Sequence, residues 1–247
     1  MQTIGVDLAA EPAGTALAVI EWTDGDARLR ELQLGVDDTA IVAAAGSGAK
    51  LGIDCAFGWP DDFVAFLQSH AVGEQPALPV EGGKSWRSQL AYRETDRLTR
   101  ERTGRWPLSV ATDRLGVTAL RCAGLLRRLG EAGVDVDRSG AGGIAEVYPG
   151  AVLRLWGFDT RGYKVDAAAR ETLVGGLSAS APWLDLAEHR ALMIRSADAL
   201  DAVVAALITR AAALGRYVAP QAGEQLARAR REGWIVLPDG GLGELVR

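Results

Sequence analysis

Gln2-Thr3-Ile4-Gly5-Val6-Asp7-Leu8 opens the chain with an apolar, β-branched run that carries a single carboxylate near its end. This composition predicts a strand over 2–8. The turn cluster Ala10-Glu11-Pro12-Ala13-Gly14 follows, then a second strand over Gly14–Trp22. After Thr23-Asp24-Gly25-Asp26, residues 27–34 alternate apolar and polar, the pattern of a half-exposed third strand. A helix is expected over Thr39–Ala45, ended by Gly46-Ser47-Gly48, and a fourth strand over Lys50–Asp54. Three antiparallel strands, a crossover helix and a strand parallel to the first make an α/β sheet.

Working outward, Asp61–His70 reads as a helix, and 71–90 as a long Gly- and Pro-rich loop, a candidate lid. Helices follow over Tyr92–Arg102 and Ala111–Leu129, and a fifth strand over Ile144–Tyr148, stopped by Pro149. Further helices are expected at 150–156, 166–176, 197–214 and 221–231, with a last apolar run at Trp234–Leu237. No repeat or linker divides the chain, so 1–247 is expected as one domain, with 71–130 as a loop and helical insertion.

The chain has 247 residues, is 48% apolar and 24% charged, and carries a net charge of -5. That balance belongs to a globular protein with a sizeable core. The charge is uneven. Between Lys84 and Arg128, eleven cations face four carboxylates, a net +7 on a body that is otherwise -12. A basic middle can attract a polyanion, although solvated helices with internal ion pairs read the same way. Nucleic acid is therefore a candidate partner. Cys55 and Cys122 form no metal or disulfide motif, which fits a reducing cytoplasm. The start of the chain has no basic leader pattern, and the apolar stretch 199–214 is too short and too charged for a membrane span, so no membrane association is expected.

The chemistry is expected from carboxylates in apolar surroundings, which are costly unless they meet water, a donor or a metal. Asp7 ends a strand and would either hold a cation or bind a cap or an arginine. Asp54, in Ile53-Asp54-Cys55-Ala56-Phe57, would sit beside Asp7 if the fourth strand pairs with the first. Asp198 and Asp201 lie at i and i+3, on one helical face. The helix dipole accounts for Asp198 but not for the deeper Asp201. Glu146 is a further charge in an apolar strand, either an extra ligand or the partner of an arginine. Arg93 and Arg97, at i and i+4, would clamp a phosphate or form a surface ion-pair helix with Asp96. Lys164 would offer a cation to a phosphate or be a surface charge. His70 and His189 have no visible partner, and the glycine strings at 46–48 and 140–143 match no nucleotide-binding fingerprint.

Taken in order, Ile4-Gly-Val-Asp7, Ile53-Asp54-Cys-Ala-Phe-Gly-Trp-Pro60, Arg93-x-x-Asp96-Arg97, Glu146-Val-Tyr148-Pro149, Tyr163-Lys164 and Asp198-Ala-Leu-Asp201-Ala resemble the DUF429 family, described as predicted nucleases of the ribonuclease H-like fold. The last motif also resembles the final catalytic helix of the Holliday-junction resolvases. The resemblance implies a mixed five-stranded sheet flanked by helices, with Asp7, Asp54, Asp198 and Asp201 as catalytic residues and ligands of Mg²⁺ or Mn²⁺. It implies a weaker ligand in Glu146 and substrate contacts from Arg93, Arg97 and Lys164, with Asp96 and Tyr148 secondary. Two departures stand out: the 71–130 insertion, and the absence of a histidine after Asp201 in its helix.

The expected activity is two-metal hydrolysis of a phosphodiester, in which hard carboxylate oxygens hold hard cations. An actin- or hexokinase-like phosphotransferase is the rival enzyme class, but it needs a second phosphate loop that the chain lacks. A non-catalytic nucleic-acid or protein-binding domain with a degenerate site is the third reading.

Overall fold

A computed structural model describes residues 1–74 and 82–246. Its elements are β1 (Gln2–Asp7), β2 (Ala16–Trp22), β3 (Ala27–Leu34), α1 (Asp38–Ala45), β4 (Lys50–Asp54), α2 (Asp61–Val72), α3 (Lys84–Ala91), α4 (Glu94–Thr103), α5 (Gly116–Glu131), β5 (Ile144–Glu146), α6 (Pro149–Leu155), α7 (Ala167–Ser180), β6 (Leu184–Asp185), α8 (Arg190–Arg195), α9 (Ala197–Ala213) and α10 (Glu224–Glu232).

The strands form one mixed sheet in the order β5-β4-β1-β2-β3-β6. β1, β2 and β3 run antiparallel in sequence, as expected, and β4 lies parallel to β1. The count of five is corrected to six. β6 pairs with β3 through Ala27↔Leu184 and Arg28↔Asp185, and two residues are too few to leave a periodic pattern. Within the expected 71–90 loop, 84–91 is the helix α3, which buries only Leu90 and Ala91 and so shows no apolar stripe. The candidate lid otherwise includes 75–81, which lie outside the described residues. α8 was also not foreseen. The fifth strand stops at Glu146, two residues early, because the Pro149 ring begins α6.

The sheet is buried on both faces. Ile4, Val6, Leu17, Val19, Leu51 and Ile53 point to one side, into a core shared with α1 and α5. Ala16, Ala18, Ile20 and Trp22 point to the other, against α6, α7 and α9. Alternation therefore sends Thr3, Gly5 and Asp7 of β1, and Gly52 and Asp54 of β4, toward α9.

α9 is the central helix. From Ala199 to Thr209 every residue is buried, so it reads as a core helix without a solvent stripe. Its backbone lies directly on the sheet at a pair of glycines. A Cβ on Gly5 would sit 2.2 Å from the Ala202 carbonyl oxygen and 2.2 Å from the Ala206 nitrogen. A Cβ on Gly52, the register partner of Gly5, would sit 1.9 Å from Thr209 Oγ1. Polar groups fasten this contact. Thr3 Oγ1 donates to the Ala206 carbonyl at 2.9 Å and accepts from Trp22 Nε1 at 2.8 Å.

Candidate functional site

The same register that pairs Gly5 with Gly52 pairs Asp7 with Asp54, two residues further along. Both carboxylates thus emerge at the carboxyl ends of neighbouring parallel strands, on the face covered by α9. One residue before the Ala202 contact, α9 adds Asp201, which is fully buried. Asp7, Asp54 and Asp201 each offer an oxygen within 4.8 Å of the others, a grouping able to hold a metal ion. Asp198 lies one turn earlier, half-buried in the first turn of α9, outside that group.

Electrostatics at the group is one-sided. Burial, then the Asp54 and Asp201 charges, push the Asp7 carboxyl up to about 9. Burial, opposed by Lys164 but aided by Asp201, pushes Asp54 up to about 7. Burial also raises Asp201, against the pull of Lys164 and Tyr163. Among the described residues, the cation in contact with the trio is Lys164, whose Nζ lies on Asp201 Oδ2 while its side chain stays half-exposed. Burial would lower that ammonium, but the Asp201, Asp7 and Asp54 charges hold it well above its ordinary range. Tyr163 donates to Asp201 Oδ1 at 3.1 Å. Arg170 anchors this turn, donating to the Tyr163 carbonyl at 2.8 Å and to the Ile194 and Arg195 carbonyls before α9.

A second ionic cluster lies beside the first. Glu146 pairs in register with Ile53, so the pleat turns it to the face opposite Asp54. It meets Arg93 in a two-pronged contact of 2.9 and 2.7 Å and accepts the Phe57 N–H at 3.0 Å. Arg93 also donates to Asp96 at 2.9 and 3.2 Å and to the Glu232 carbonyl at 3.0 Å. All five guanidinium donors are thereby used. The expected role of Arg93 in gripping a phosphate is corrected on this ground, and so is Asp96 as a substrate contact. Of the two readings of Glu146, the structure gives the arginine partner. Arg93 is the buried N-cap of α4, and Arg97, one turn on, takes no part in its cluster. Arg97 is half-buried and points to the Ser88 and Gln89 carbonyls at 3.4 Å.

Both clusters border a cavity of about 360 Å³ lined by Asp7, Asp54, Tyr148, Lys164, Arg93 and Glu146. Its outer wall is Pro107, Leu108, Arg114, Leu115 and Thr118. Those wall residues were not foreseen, since nothing in their local pattern marks them. Gly5 and Gly52 carried a readable signal: a glycine inside a strand marks close backbone approach.

The architecture and site define an α/β protein with three carboxylates, one buried and two half-buried, gathered where parallel strand ends meet a core helix. The family model DUF429, "Protein of unknown function", matches residues 5–225, and the chain belongs to that family. No curated protein and no solved structure matches the chain. Among the described residues, no helix is long and apolar enough to cross a membrane.

Proposed function

We propose that the protein is a divalent-cation-dependent phosphodiester hydrolase, a nuclease of ribonuclease H-like type. One observation carries this reading: three carboxylates lie within 4.8 Å of one another, two of them lining the cavity, and among the described residues Lys164 is the cation in contact with them. When all are ionised, the trio and Lys164 leave two negative charges, the charge a divalent ion would neutralise. The order of β1 to β5 supports the fold assignment: three antiparallel strands, then two parallel to β1, with carboxylates on β1, β4 and a late helix.

Asp7, Asp54 and Asp201 would hold Mg²⁺ or Mn²⁺, with Asp198 placed toward a second ion. Such ions supply an acidified water and offset charge on phosphoryl oxygens. The residues of the chain do the rest. Asp201 is held in place by the Tyr163 hydroxyl. Lys164, with its half-exposed stem, can leave Asp201 for a phosphoryl oxygen of the substrate. Leu108, Leu115 and Pro107 would give the reacting group an apolar wall on one side. Two buried thiols, Cys55 and Cys122, suit the reducing cytoplasm as the place of action.

The test is calorimetric titration with Mn²⁺ and hydrolysis of bis-p-nitrophenyl phosphate by wild type, Asp7→Asn and Asp201→Asn. Wild type should bind the ion and turn over the diester, and both variants should lose turnover while keeping their circular dichroism. Activity equal in all three, or no Mn²⁺ binding by wild type, refutes the assignment.

A further inference from the structure

The rim of the carboxylate cavity has a composition of its own. Tyr92 and Trp106 stack with ring centroids 4.1 Å apart and planes at 26°. Trp106 remains 42% exposed, and the next two residues, Pro107 and Leu108, line the cavity. An aromatic ring open to solvent, one residue before a cavity wall, is available to a planar partner.

The same stretch of chain, from Arg100 to Thr118, carries four arginines. Arg100, Arg102, Arg105 and Arg114 are exposed, and among the described residues none pairs with a carboxylate or donates a side-chain hydrogen bond. Several other surface arginines are paired: Arg127 with Glu131, Arg128 with Asp38, Arg230 with Asp137 and Arg231 with Asp61. Arg114 itself lines the cavity. Two carboxylates share the segment, Glu101 and Asp113, and Asp113 is engaged by the Ser109 N–H at 2.8 Å. Unpaired guanidinium groups beside a stacked aromatic pair complement a chain that alternates phosphates and bases.

The cavity decides which form of that chain fits. Asp201 is fully buried, and Asp7 and Asp54 are half-buried in the lining of a cavity of about 360 Å³. A phosphodiester must enter to reach them. A rigid double helix presents its phosphates on a convex surface, whereas a single strand can turn its backbone inward and splay its bases onto aromatic rings.

We propose that the rim from Arg100 to Thr118 is a platform for single-stranded nucleic acid that delivers a backbone phosphate to the carboxylates. Its catalytic meaning rests on the hydrolase reading above, but binding at the rim does not.

Anisotropy with labelled single-stranded DNA, single-stranded RNA and a hairpin duplex, in EDTA, separates the two. Single strands of DNA, RNA or both should bind about ten-fold or more tightly than the duplex. Trp106→Ala should weaken binding about ten-fold, and Trp106→Phe should restore most of it. Arg105→Gln with Arg114→Gln should flatten the logarithmic salt dependence by about 0.7 for each phosphate that is no longer neutralised. Equal binding of duplex and single strand, indifference to both sets of variants, or no oligonucleotide binding overturns the platform. Hydrolysis of the small diester without oligonucleotide binding would sink the platform alone. Platform binding without any hydrolysis would sink the hydrolase alone.

Discussion

Gly5→Ala tests the geometry on which the site depends. The new methyl would lie 2.2 Å from two backbone atoms of α9, the Ala202 oxygen and the Ala206 nitrogen. Neither belongs to a flexible side chain, so the helix must retreat by about 1 Å to reach ordinary contact. A gap of that size forfeits about a quarter to a half of each dispersion contact it opens. α9 buries Leu200, Val203, Val204, Leu207 and Ile208 completely. Overpacking of a tight core costs about 1–3 kcal/mol, and this backbone collision belongs at the upper end. At about 2–4 °C per kcal/mol for a chain of this size, Tm should fall by about 6–12 °C. The same retreat carries Asp201 away from Asp7 and Asp54, so Mn²⁺ affinity should fall even where the variant stays folded. Urea unfolding and calorimetric titration measure the two effects. Gly124→Ala is the control, on an exposed turn of α5 with nothing within 4 Å, where helix propensity should leave stability unchanged or raise it by up to about 1 kcal/mol. A Gly5→Ala protein within about 0.5 kcal/mol of wild type, with full Mn²⁺ affinity, would refute the close approach of helix and sheet.

Other consequences follow from the two ionic clusters. Asp7, pushed up to about 9 from 3.8, binds its proton more tightly in the folded chain than in the unfolded one. The sign follows: its contribution is fully present at low pH and is lost as pH rises from about 4 through 9. Asp7→Asn should therefore stabilise the metal-free protein at pH 8 by about 1–3 kcal/mol, and this gain should shrink toward pH 5; a chemical-denaturation series at both pH values checks it. Arg93→Met leaves Asp96 and Glu146 without their cation in the interior and should cost about 3–5 kcal/mol by urea unfolding. Lys164→Met removes the ammonium that competes for Asp201, so Mn²⁺ should bind more tightly while diester turnover falls; unchanged affinity by calorimetry would contradict the contact.

The sheet was legible because β1 to β4 state their own limits. β1, β2 and β4 are apolar runs and β3 alternates apolar with polar, and Asp7 and Asp54 could be matched because each ends its strand. β6 and α3 were not legible for opposite reasons. Two residues of β6 are too few to show a period, and α3 is too polar to show a face. At the site, Asp201 stood out because an acidic residue so deep in an apolar helix has no local explanation. Asp198, one turn earlier, is half-buried at the entry of α9, where the dipole favours it and its charge still acts on Asp7 and Asp201. Arg93 failed as a phosphate contact because cap positions and long-range partners, such as Glu146 and the Glu232 carbonyl, are invisible to a spacing rule.

Glu146 and Asp54 show why counting partners matters more than finding charges. In sequence the two look alike, each a lone acid in an apolar strand. They sit on adjacent strands, one residue apart in register and on opposite faces of the sheet. Glu146 meets a guanidinium whose five donors are shared among three acceptor residues, so its charge is closed and no ion is called for. Asp54 meets two other carboxylates and one ammonium. A buried charge without enough partners favours its protonated form, and burial with mutual repulsion pushes Asp7, Asp54 and Asp201 upward. Folding the chain this way would be wasteful unless something else supplied positive charge. The fold fixes the trio at a glycine-mediated contact between helix and sheet, the least adjustable place in the molecule. That combination, an unbalanced charge on an unyielding frame, is the ground on which the proposed cation site rests.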